Sequence, residues 1–236
     1  MVILAIETAA DPASVALRRS GTLVAESTIR GPRELAARLA PAIQSLVAKA
    51  DIGVESVAGI AVDHGPGSFT GLRVGVSTAK ALAHARGLPV VGVSSLEASA
   101  WRCRDRPGAV ICPVLHSHRD QLYAGGYRSA GDGLEVVLAD CATDGPALVA
   151  ELNAIGQPVL FCGTAADLPR QWLAGLRVSA EFAAAASTLP NAAAVAELGA
   201  RRLERGEDDG AVALCAHYLR KSSAEIDHAE GGEARG

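Results

Sequence analysis

The sequence predicts an α/β fold made of two packed halves, each with the element order strand, strand, strand, helix, strand. Two observations support this prediction. Short apolar runs bounded by turn residues alternate with helical stripes, and the order of the first half returns in the second although the residues do not. The predicted halves are residues 1–105 and 106–220, followed by a polar tail at 221–236 that we expect to be disordered. A cleft between the halves is the expected place for a ligand.

Three strands joined by tight turns are predicted to open the chain, at residues 2–7, 13–18 and 22–28. A helix follows over residues 33–50, where Pro32 suits its start. Its apolar residues recur at helical spacing. They are Leu35, Leu39, Ile43, Leu46 and Val47.

The first half continues with a strand at residues 57–63, a glycine-rich loop, a helix at 72–86 that ends before Gly87, and a strand at 90–93. The runs at 2–7 and 57–63 are nearly all apolar, which indicates central strands buried on both faces. The second half repeats this order. Its predicted strands lie at 109–115, 121–127, 134–139 and 158–162, with helices at 146–154 and 191–205.

Composition and charge favour a cytoplasmic protein. The chain has 236 residues, 49% of them hydrophobic, and a net charge of −4, so it lacks the positive field that holds nucleic acid. We therefore expect contact with nucleic acid only through a more basic partner. Its five cysteines include no C-x-x-C pair, which indicates reduced thiols. The N-terminus has no basic signal region, and no apolar run reaches the ~20 residues of a membrane span.

The most informative motif is the run DHGPGSFTGLRVG at residues 63–75, where a buried strand enters a helix through glycines. Backbone N–H groups at such a junction can bind an anion, with Ser68 and Thr70 available to cap the helix. The alternative is a tight turn whose glycines only permit close packing. The residues leave these two interpretations open.

Two carboxylates end central strands. If the strands that end at Glu7 and Asp63 are neighbours, both side chains lie at one sheet edge and could share a Mg²⁺ ion. The alternative is that each is an ordinary strand-end residue. Thr8, next to Glu7, is small enough to let a phosphate approach. The candidate anion- and nucleotide-binding residues are Glu7, Thr8, Asp63, Gly65, Gly67, Ser68, Thr70 and Gly71.

Other site chemistries receive little support from the residues. His116 and His118 are too few for a zinc site, H-E-x-x-H is absent, and no G-x-S-x-G elbow is present, which argues against a metalloprotease or a serine hydrolase. No catalytic residue or metal ligand is therefore assigned. Small residues on the predicted first helix, including Ala36, Ala37, Ala40 and Ala48, would allow a second helix to approach closely.

The motifs together resemble the bacterial TsaB (YeaZ) family of the pathway that makes threonylcarbamoyladenosine in tRNA. The matching runs, in chain order, are ILAIETA at 3–9, SVAL at 14–17, GPGSFTGLRVG at 65–75, AKALA at 79–83 and VGVSSL at 91–96. The resemblance implies an actin-like, Hsp70-like ATPase fold made of two RNase H-like halves. It also implies a TsaD-like catalytic partner and a TsaE-like ATPase as a third member.

The resemblance further implies a role without catalysis. TsaD, the paralogous catalytic subunit, carries two metal-binding histidines where this chain has Ser95 and Ser99, and a hydroxyl is a poor ligand for a transition metal. This points to a scaffold subunit, homodimeric alone and heterodimeric with the TsaD-like protein, through its first two helices. The residues expected at that interface are Leu35, Ala36, Leu39, Ala40, Ile43, Leu72, Val76 and Lys80.

Other departures from the family pattern fall around the cleft. Glu7 stands where the family usually has Asp, and Leu35 replaces a common His. Two further hypotheses stay open. One is an ATP-dependent phosphotransferase or ATPase that holds ATP or ADP with Mg²⁺ at the cleft or a subunit interface. The other is a nuclease that uses Glu7, Glu34 and Asp63 as a carboxylate cluster.

Overall fold

The computed structural model describes residues 1–117, 121–164, 170–184 and 188–219 of the chain. His118 and the predicted tail at 221–236 lie outside the described residues. In the described part of the chain, no helix is both long enough and apolar enough to cross a bilayer.

The first sheet has five strands in the order β3-β2-β1-β4-β5. Strand β1 pairs antiparallel with β2 and parallel with β4, so β1 and β4 are central neighbours, as the apolar runs predict. The bounds are β1 (Val2–Glu7), β2 (Ala13–Arg19), β3 (Thr22–Ile29), β4 (Val57–Gly65) and β5 (Val90–Ser94).

The second sheet has the same topology, in the order β10-β9-β6-β7-β8. Strand β6 pairs antiparallel with β7 and parallel with β9. The prediction of two halves with one element order is therefore confirmed. The second half also has a counterpart of the strand predicted at 90–93, which the sequence pattern did not reveal. The bounds are β6 (Val110–His116), β7 (Leu122–Ala130), β8 (Gly133–Thr143), β9 (Val159–Gly163) and β10 (Ala180–Phe182).

Five α-helices are described, with bounds α1 (Leu35–Lys49), α2 (Phe69–Arg86), α3 (Ser95–Trp101), α4 (Gly145–Ile155) and α5 (Ala192–Glu204). Helix α3 packs on β6 and β7 of the second sheet, whereas α5 packs on β1, β2, β4 and β5 of the first. Each half of the chain thus contributes a helix to the other half's sheet. The division of the chain into two halves near residue 105 stays a prediction, because α3 and α5 each pack on the sheet of the other half.

The apolar stripe of α1 faces the core, as its spacing predicts. Its five apolar residues are all buried in one cluster with β1, β2 and α2. On the other face of the first sheet, α5 approaches so closely that a Cβ on Gly199 would overlap the side chain of Ala61. Close helix–sheet contact on both faces makes β1 and β4 fully internal, which places the ends of these strands deep in the molecule.

The free edge of β5 is covered by side chains rather than by another strand. The backbone N–H of Gly92 donates to Asp209 Oδ2 at 2.7 Å, and the N–H of Val90 donates to Asp208 Oδ1 at 3.0 Å. Arg202 donates to the carbonyl oxygen of Gly92 and pairs with Asp209 at 3.0 Å. Because these groups satisfy the edge, β5 does not present an open row of donors and acceptors to another chain.

Candidate functional site

Glu7 and Asp63 lie side by side at the ends of the two central strands. Ile6 pairs with Val62 in the parallel register of β1 and β4, so these carboxylates occupy the next position on each strand. Both residues are fully buried. The sequence-based expectation that the two strands are neighbours and bring both carboxylates to one edge is therefore met.

Each carboxylate has one oxygen hydrogen-bonded and one without a partner. Glu7 Oε1 accepts from the N–H of Ala10 at 2.8 Å, and Asp63 Oδ1 accepts from the N–H of Gly65 at 2.8 Å and from Ser95 Oγ at 2.5 Å. The atoms Glu7 Oε2 and Asp63 Oδ2 have no hydrogen-bond partner. These two unpartnered oxygens could form a hydrogen bond with each other only if at least one of the carboxyl groups carries a proton.

The surroundings of the pair favour the protonated form. Burial raises the pKa of Glu7 well above its usual range, and the neighbouring Asp63 carboxylate raises it further. Burial also raises the pKa of Asp63 to about 7, although the hydrogen bonds from Ser95 and Gly65 act in the opposite direction. Protonated carboxyl groups are poor ligands for Mg²⁺, because binding the ion requires their ionised form.

Ser95 and Ser99 lie on α3, whose first residue, Ser95, contacts this site. Ser95 is fully buried and donates to Asp63, while the hydroxyl of Ser99 is buried without a described partner. Helix α3 was not among the elements predicted from the sequence. Its signal was present, because Ser94 and Glu97 have the spacing of a capping box and Ser94 Oγ accepts from the N–H groups of Leu96 and Glu97.

The start of α3 is also tied to the second sheet. Ser94 Oγ donates to Asp140 Oδ2 on β8 at 2.5 Å, and Tyr127 on β7 donates from its hydroxyl to Asp140 Oδ1 at 2.5 Å. These contacts join residues that are distant in sequence, so no local pattern could have revealed them. They fix the position of α3, and with it Ser95, relative to both sheets.

The glycines of the loop make room for the residues that follow β1. A Cβ on Gly71 would overlap the carbonyl oxygen of Thr8, and a Cβ on Gly75 would overlap Thr8 Oγ1. A Cβ on Gly67 would lie 2.6 Å from the carbonyl oxygen of Ala9. The Thr8 hydroxyl donates to the carbonyl of Gly71 at 2.8 Å. This is the geometry of the close-packing interpretation of the loop, and the anion site stays a prediction.

Several donors of the loop are already engaged within the chain. The N–H of Ser68 donates to the carbonyl of Ala9 at 2.9 Å, and the N–H of Gly71 donates to Ser68 Oγ at 3.2 Å, which caps α2 as predicted. A cavity of about 90 Å³ lies beside the loop, lined in part by Thr8, Thr70 and Leu35. This volume is smaller than the roughly 300 Å³ or more that is typical of pockets for small-molecule ligands.

The predicted interface residues divide into two groups. Leu35, Leu39, Ile43, Leu72 and Val76 are buried in the core of this chain, whereas Ala36 and Ala40 are exposed on the outer face of α1. Lys80 Nζ donates to the carbonyl oxygens of Val212 and Leu214, at 3.1 and 2.8 Å. Only the exposed residues of this set can contact a partner without rearrangement of the fold.

The three-carboxylate cluster expected for a nuclease does not form. Glu34 is exposed before α1 and its carboxylate lies 3.6 Å from Arg38 Nη1, so it does not join Glu7 and Asp63 in the interior. His116 is exposed at the end of β6. Among the described residues, no three His, Cys, Asp or Glu side chains are placed to hold a metal ion.

Comparison with known proteins gives one consistent result. A family model described as "TsaD: tRNA N6-adenosine threonylcarbamoyltransferase" matches residues 30–228. The tRNA threonylcarbamoyladenosine biosynthesis protein TsaB of Bacillus subtilis is 34% identical over 226 residues, which cover 95% of this chain and 96% of that protein. TsaB of Escherichia coli is 33% identical over 135 residues, which cover 57% and 58% of the two chains.

Solved structures agree with the sequence matches. YeaZ from Pseudomonas aeruginosa superposes with a TM-score of 0.79 and 26% sequence identity, covering 92% of this chain and 99% of that one. A second structure from the same organism, described as an uncharacterized protein similar to peptidase YeaZ, also gives 0.79, with 25% identity and coverage of 93% and 99%. The fold expected from the sequence motifs, an α/β protein of two like-built halves, is thereby shown.

Proposed function

Because the chain belongs to the TsaB (YeaZ) family of tRNA threonylcarbamoyladenosine biosynthesis proteins, we propose that it serves this pathway without catalysing a reaction itself. In this proposal it binds and activates a TsaD-like catalytic subunit, which transfers the threonylcarbamoyl group to the tRNA adenosine 3′ of the anticodon. The observation that carries the proposal is the environment of Ser95 and Asp63.

Ser95 stands where the catalytic paralogue is expected to carry a metal-binding histidine. Here its hydroxyl is fully buried and donates to Asp63 at 2.5 Å. Ser99, at the second histidine position, is buried as well. Hydroxyl groups bind transition metals weakly. The Ser95 hydroxyl is also engaged in its hydrogen bond to Asp63, a carboxyl group whose pKa is raised to about 7. These contacts support a structural role for Ser95 and Asp63.

The outer faces of α1 and α2 support a helical interface with the catalytic subunit. Ala36 and Ala40 are exposed on α1, and Ser77 and Ala81 are exposed on α2, which packs beside α1. Small side chains on adjacent helices allow a second pair of helices to pack closely. The same surface would form the homodimer of the chain alone, so the two assemblies would compete for it.

A TsaE-like ATPase and the tRNA would join the assembly through the catalytic subunit. The net charge of −4 supports this arrangement, because the chain has no overall positive field that could bind a phosphate backbone. A cytoplasmic location, where tRNA is modified, is part of the same proposal.

The proposal is tested by reconstitution. The chain is coexpressed with the TsaD-like protein of its own organism, the complex is sized by light scattering, and threonylcarbamoyl transfer to tRNA is measured for each protein alone and for the mixture. We expect a heterodimer, and transfer only in the mixture. Transfer by this chain alone, or full transfer by the partner alone, would overturn the proposal.

A surface variant locates the interface. Ala40→Glu places a charge on the exposed face of α1 and is expected to reduce complex formation and transfer at least tenfold. Val136→Glu is the matched control, because Val136 is 60% exposed on β8, away from α1 and α2. If both variants support transfer as well as the unmodified chain, the proposed surface is wrong.

A further inference from the structure

Helices α1 and α2 carry positive charge in a chain whose net charge is negative. Neither helix contains an Asp or a Glu, although the whole chain has 26 acidic residues against 22 Lys and Arg. The cations of the two helices, which we call the basic face, are exposed except for the partly buried Lys80. They are Arg38, Lys49, Arg73, Lys80 and Arg86.

Most of the charge on the basic face is not neutralised. Arg38 has a carboxylate nearby, that of the exposed Glu34 at 3.6 Å, and the other four residues form no ion pair with the part of the chain that the structure describes. Lys80 and Arg86 donate hydrogen bonds to backbone carbonyl oxygens, which carry no net charge. By contrast, both arginines of α5 pair with carboxylates. The basic face therefore suits an acidic binding partner.

The segment that follows α5 runs along α2 toward the start of that helix. Leu214 is buried, and its carbonyl oxygen accepts from Lys80 Nζ at 2.8 Å. Further along the segment, the ring of Tyr218 packs on that of Phe69, the first residue of α2, with 4.8 Å between the ring centroids. The guanidinium of Arg73 lies 3.9 Å from the centroid of the same Phe69 ring. The described part of the chain thus ends, at residue 219, beside the basic face.

The sequence beyond residue 219, which lies outside the described residues, carries the opposite charge. Between residues 225 and 233 it has four acidic residues and no Lys or Arg, and we call this stretch the acidic segment. An extended chain spans about 3.5 Å per residue, so Glu225 can reach about 25 Å from Tyr218, which is about the length of α2. The acidic segment is therefore close enough in the chain to contact the basic face.

We propose that the acidic segment binds the basic face of its own chain by charge attraction, and that it competes there with the TsaD-like subunit. The opposite charges and the contact of Tyr218 with Phe69, which tethers the segment at the start of α2, support this. A short tether gives an effective concentration on the order of millimolar, so a weak attraction covers the face for part of the time. The competition rests on the proposed scaffold function, whereas the contact within the chain does not.

The first experiment tests the contact in the full chain, by NMR of its amide and arginine Nε signals. Neutralising the acidic segment should shift the signals of Arg38 and Arg73, and about 0.5 M salt should shift them in the same direction, because salt screens the attraction. The neutralised variant carries Glu225→Gln, Asp227→Asn and Glu230→Gln. A matched control removes three exposed carboxylates from the second half of the chain and should leave these signals unchanged. It carries Asp105→Asn, Glu135→Gln and Glu151→Gln.

The second experiment measures the competition. A partner that binds only the uncovered face has an apparent affinity reduced by the fraction of chains in which the face is covered. At about 50 mM salt, the TsaD-like protein should bind the neutralised variant at least about threefold more tightly than the unmodified chain, and at about 0.5 M salt the two should bind equally. The control variant should bind as the unmodified chain does.

Three results would overturn the proposal. The first is that neutralising the acidic segment leaves the signals of the basic face unchanged. The second is that the shifts depend on protein concentration, because the contact would then come from another copy of the chain. The third is that the signals shift while the affinity for the partner stays the same, which would remove the competition. A TsaD-like protein that binds none of the variants contradicts the proposed function instead, and the NMR signals still decide whether the contact forms.

Discussion

Ser95 donates its hydroxyl hydrogen to Asp63 Oδ1 at 2.5 Å, and this bond ties the first turn of α3 to the end of β4. Both residues are fully buried. The bond gives one oxygen of the carboxyl group a neutral partner, while Oδ2 is left beside Glu7 with none. The hydrogen bonds that Asp63 accepts from Gly65 and Ser95 thus connect α3 to the central strands, which suits a structural role for this carboxyl group.

Asp63→Asn should preserve the hydrogen-bonded connection between α3 and β4. The side-chain oxygen of Asn can accept the hydrogen bonds from Gly65 and Ser95, and its NH₂ group supplies a donor beside Glu7. We expect transfer activity of the reconstituted complex to stay within about twofold of that of the unmodified chain, a difference of less than about 0.5 kcal/mol. Asp63→Ala is the comparison, because it leaves both donors without an acceptor and should destabilise the chain by about 1–3 kcal/mol. A well-folded Asp63→Asn chain with no activity in the complex would show that the carboxylate takes part in chemistry.

The acid pair should make the chain more stable in mild acid. The pKa of Asp63 is raised to about 7 and that of Glu7 is also raised, whereas carboxyl groups of the unfolded chain titrate near 4. The folded chain therefore holds more protons between about pH 4 and pH 7, and this contribution to the free energy of unfolding falls as pH rises through that window. Urea titrations across the window should show the advantage of Asp63→Asn over the unmodified chain growing with pH, by on the order of 3 kcal/mol. A difference that does not vary with pH would contradict the raised pKa of Asp63.

His64 should have the opposite pH dependence. Burial, together with the neighbouring His217, lowers its pKa to about 4, whereas histidine in the unfolded chain titrates near 6.5. The unfolded chain holds more protons between these values, so this contribution to stability is complete above about pH 6.5 and is lost as pH falls toward 4. His64→Gln removes the titration. Between pH 7 and pH 4 the unmodified chain should lose on the order of 2 kcal/mol more than the variant in urea unfolding. Equal losses would mean that His64 is not held in its neutral form.

Gly71→Ala should be strongly destabilising. The added methyl group would overlap the carbonyl oxygen of Thr8, which belongs to the backbone after β1 and cannot turn aside. We expect a loss of at least about 2 kcal/mol in the free energy of unfolding. Gly133→Ala is the control, because the nearest atom to its Cβ would lie at 3.8 Å, an ordinary contact. If Gly71→Ala is as stable as the control, the close-packing interpretation of the loop is wrong.

Asp209→Ala should open the edge of β5. The substitution removes the acceptor for the N–H of Gly92 and one partner of Arg202, which should cost about 1–2 kcal/mol of stability. An exposed strand edge also promotes pairing with other chains, so light scattering at increasing concentration should detect self-association. Asp132→Ala is the control, since Asp132 is fully exposed and pairs with Arg201 at the tip of the β7–β8 hairpin. Unchanged stability and size in Asp209→Ala would show that the edge is protected by other means.

Local sequence patterns were sufficient to predict the helices and strands whose apolar residues follow a regular pattern. The helical spacing of the apolar residues in α1 predicts which face of the helix is buried. The apolar runs of β1 and β4 predict the central position of these two strands. The family could also be recognised from the sequence, since the run at residues 65–75 is long and specific. The helix α3 could have been found from its capping residues, Ser94 and Glu97.

Only the tertiary structure decided the surroundings of Glu7, Asp63 and Ser95. The sequence places Glu7 and Asp63 at strand ends, but their burial, their raised pKa values and the hydrogen bond from Ser95 follow from helices that pack on both faces of the sheet. The same holds for Asp209 with Gly92. Each of these pairs joins residues from distant parts of the chain, and their contacts depend on how whole elements pack, which local periodicity does not encode.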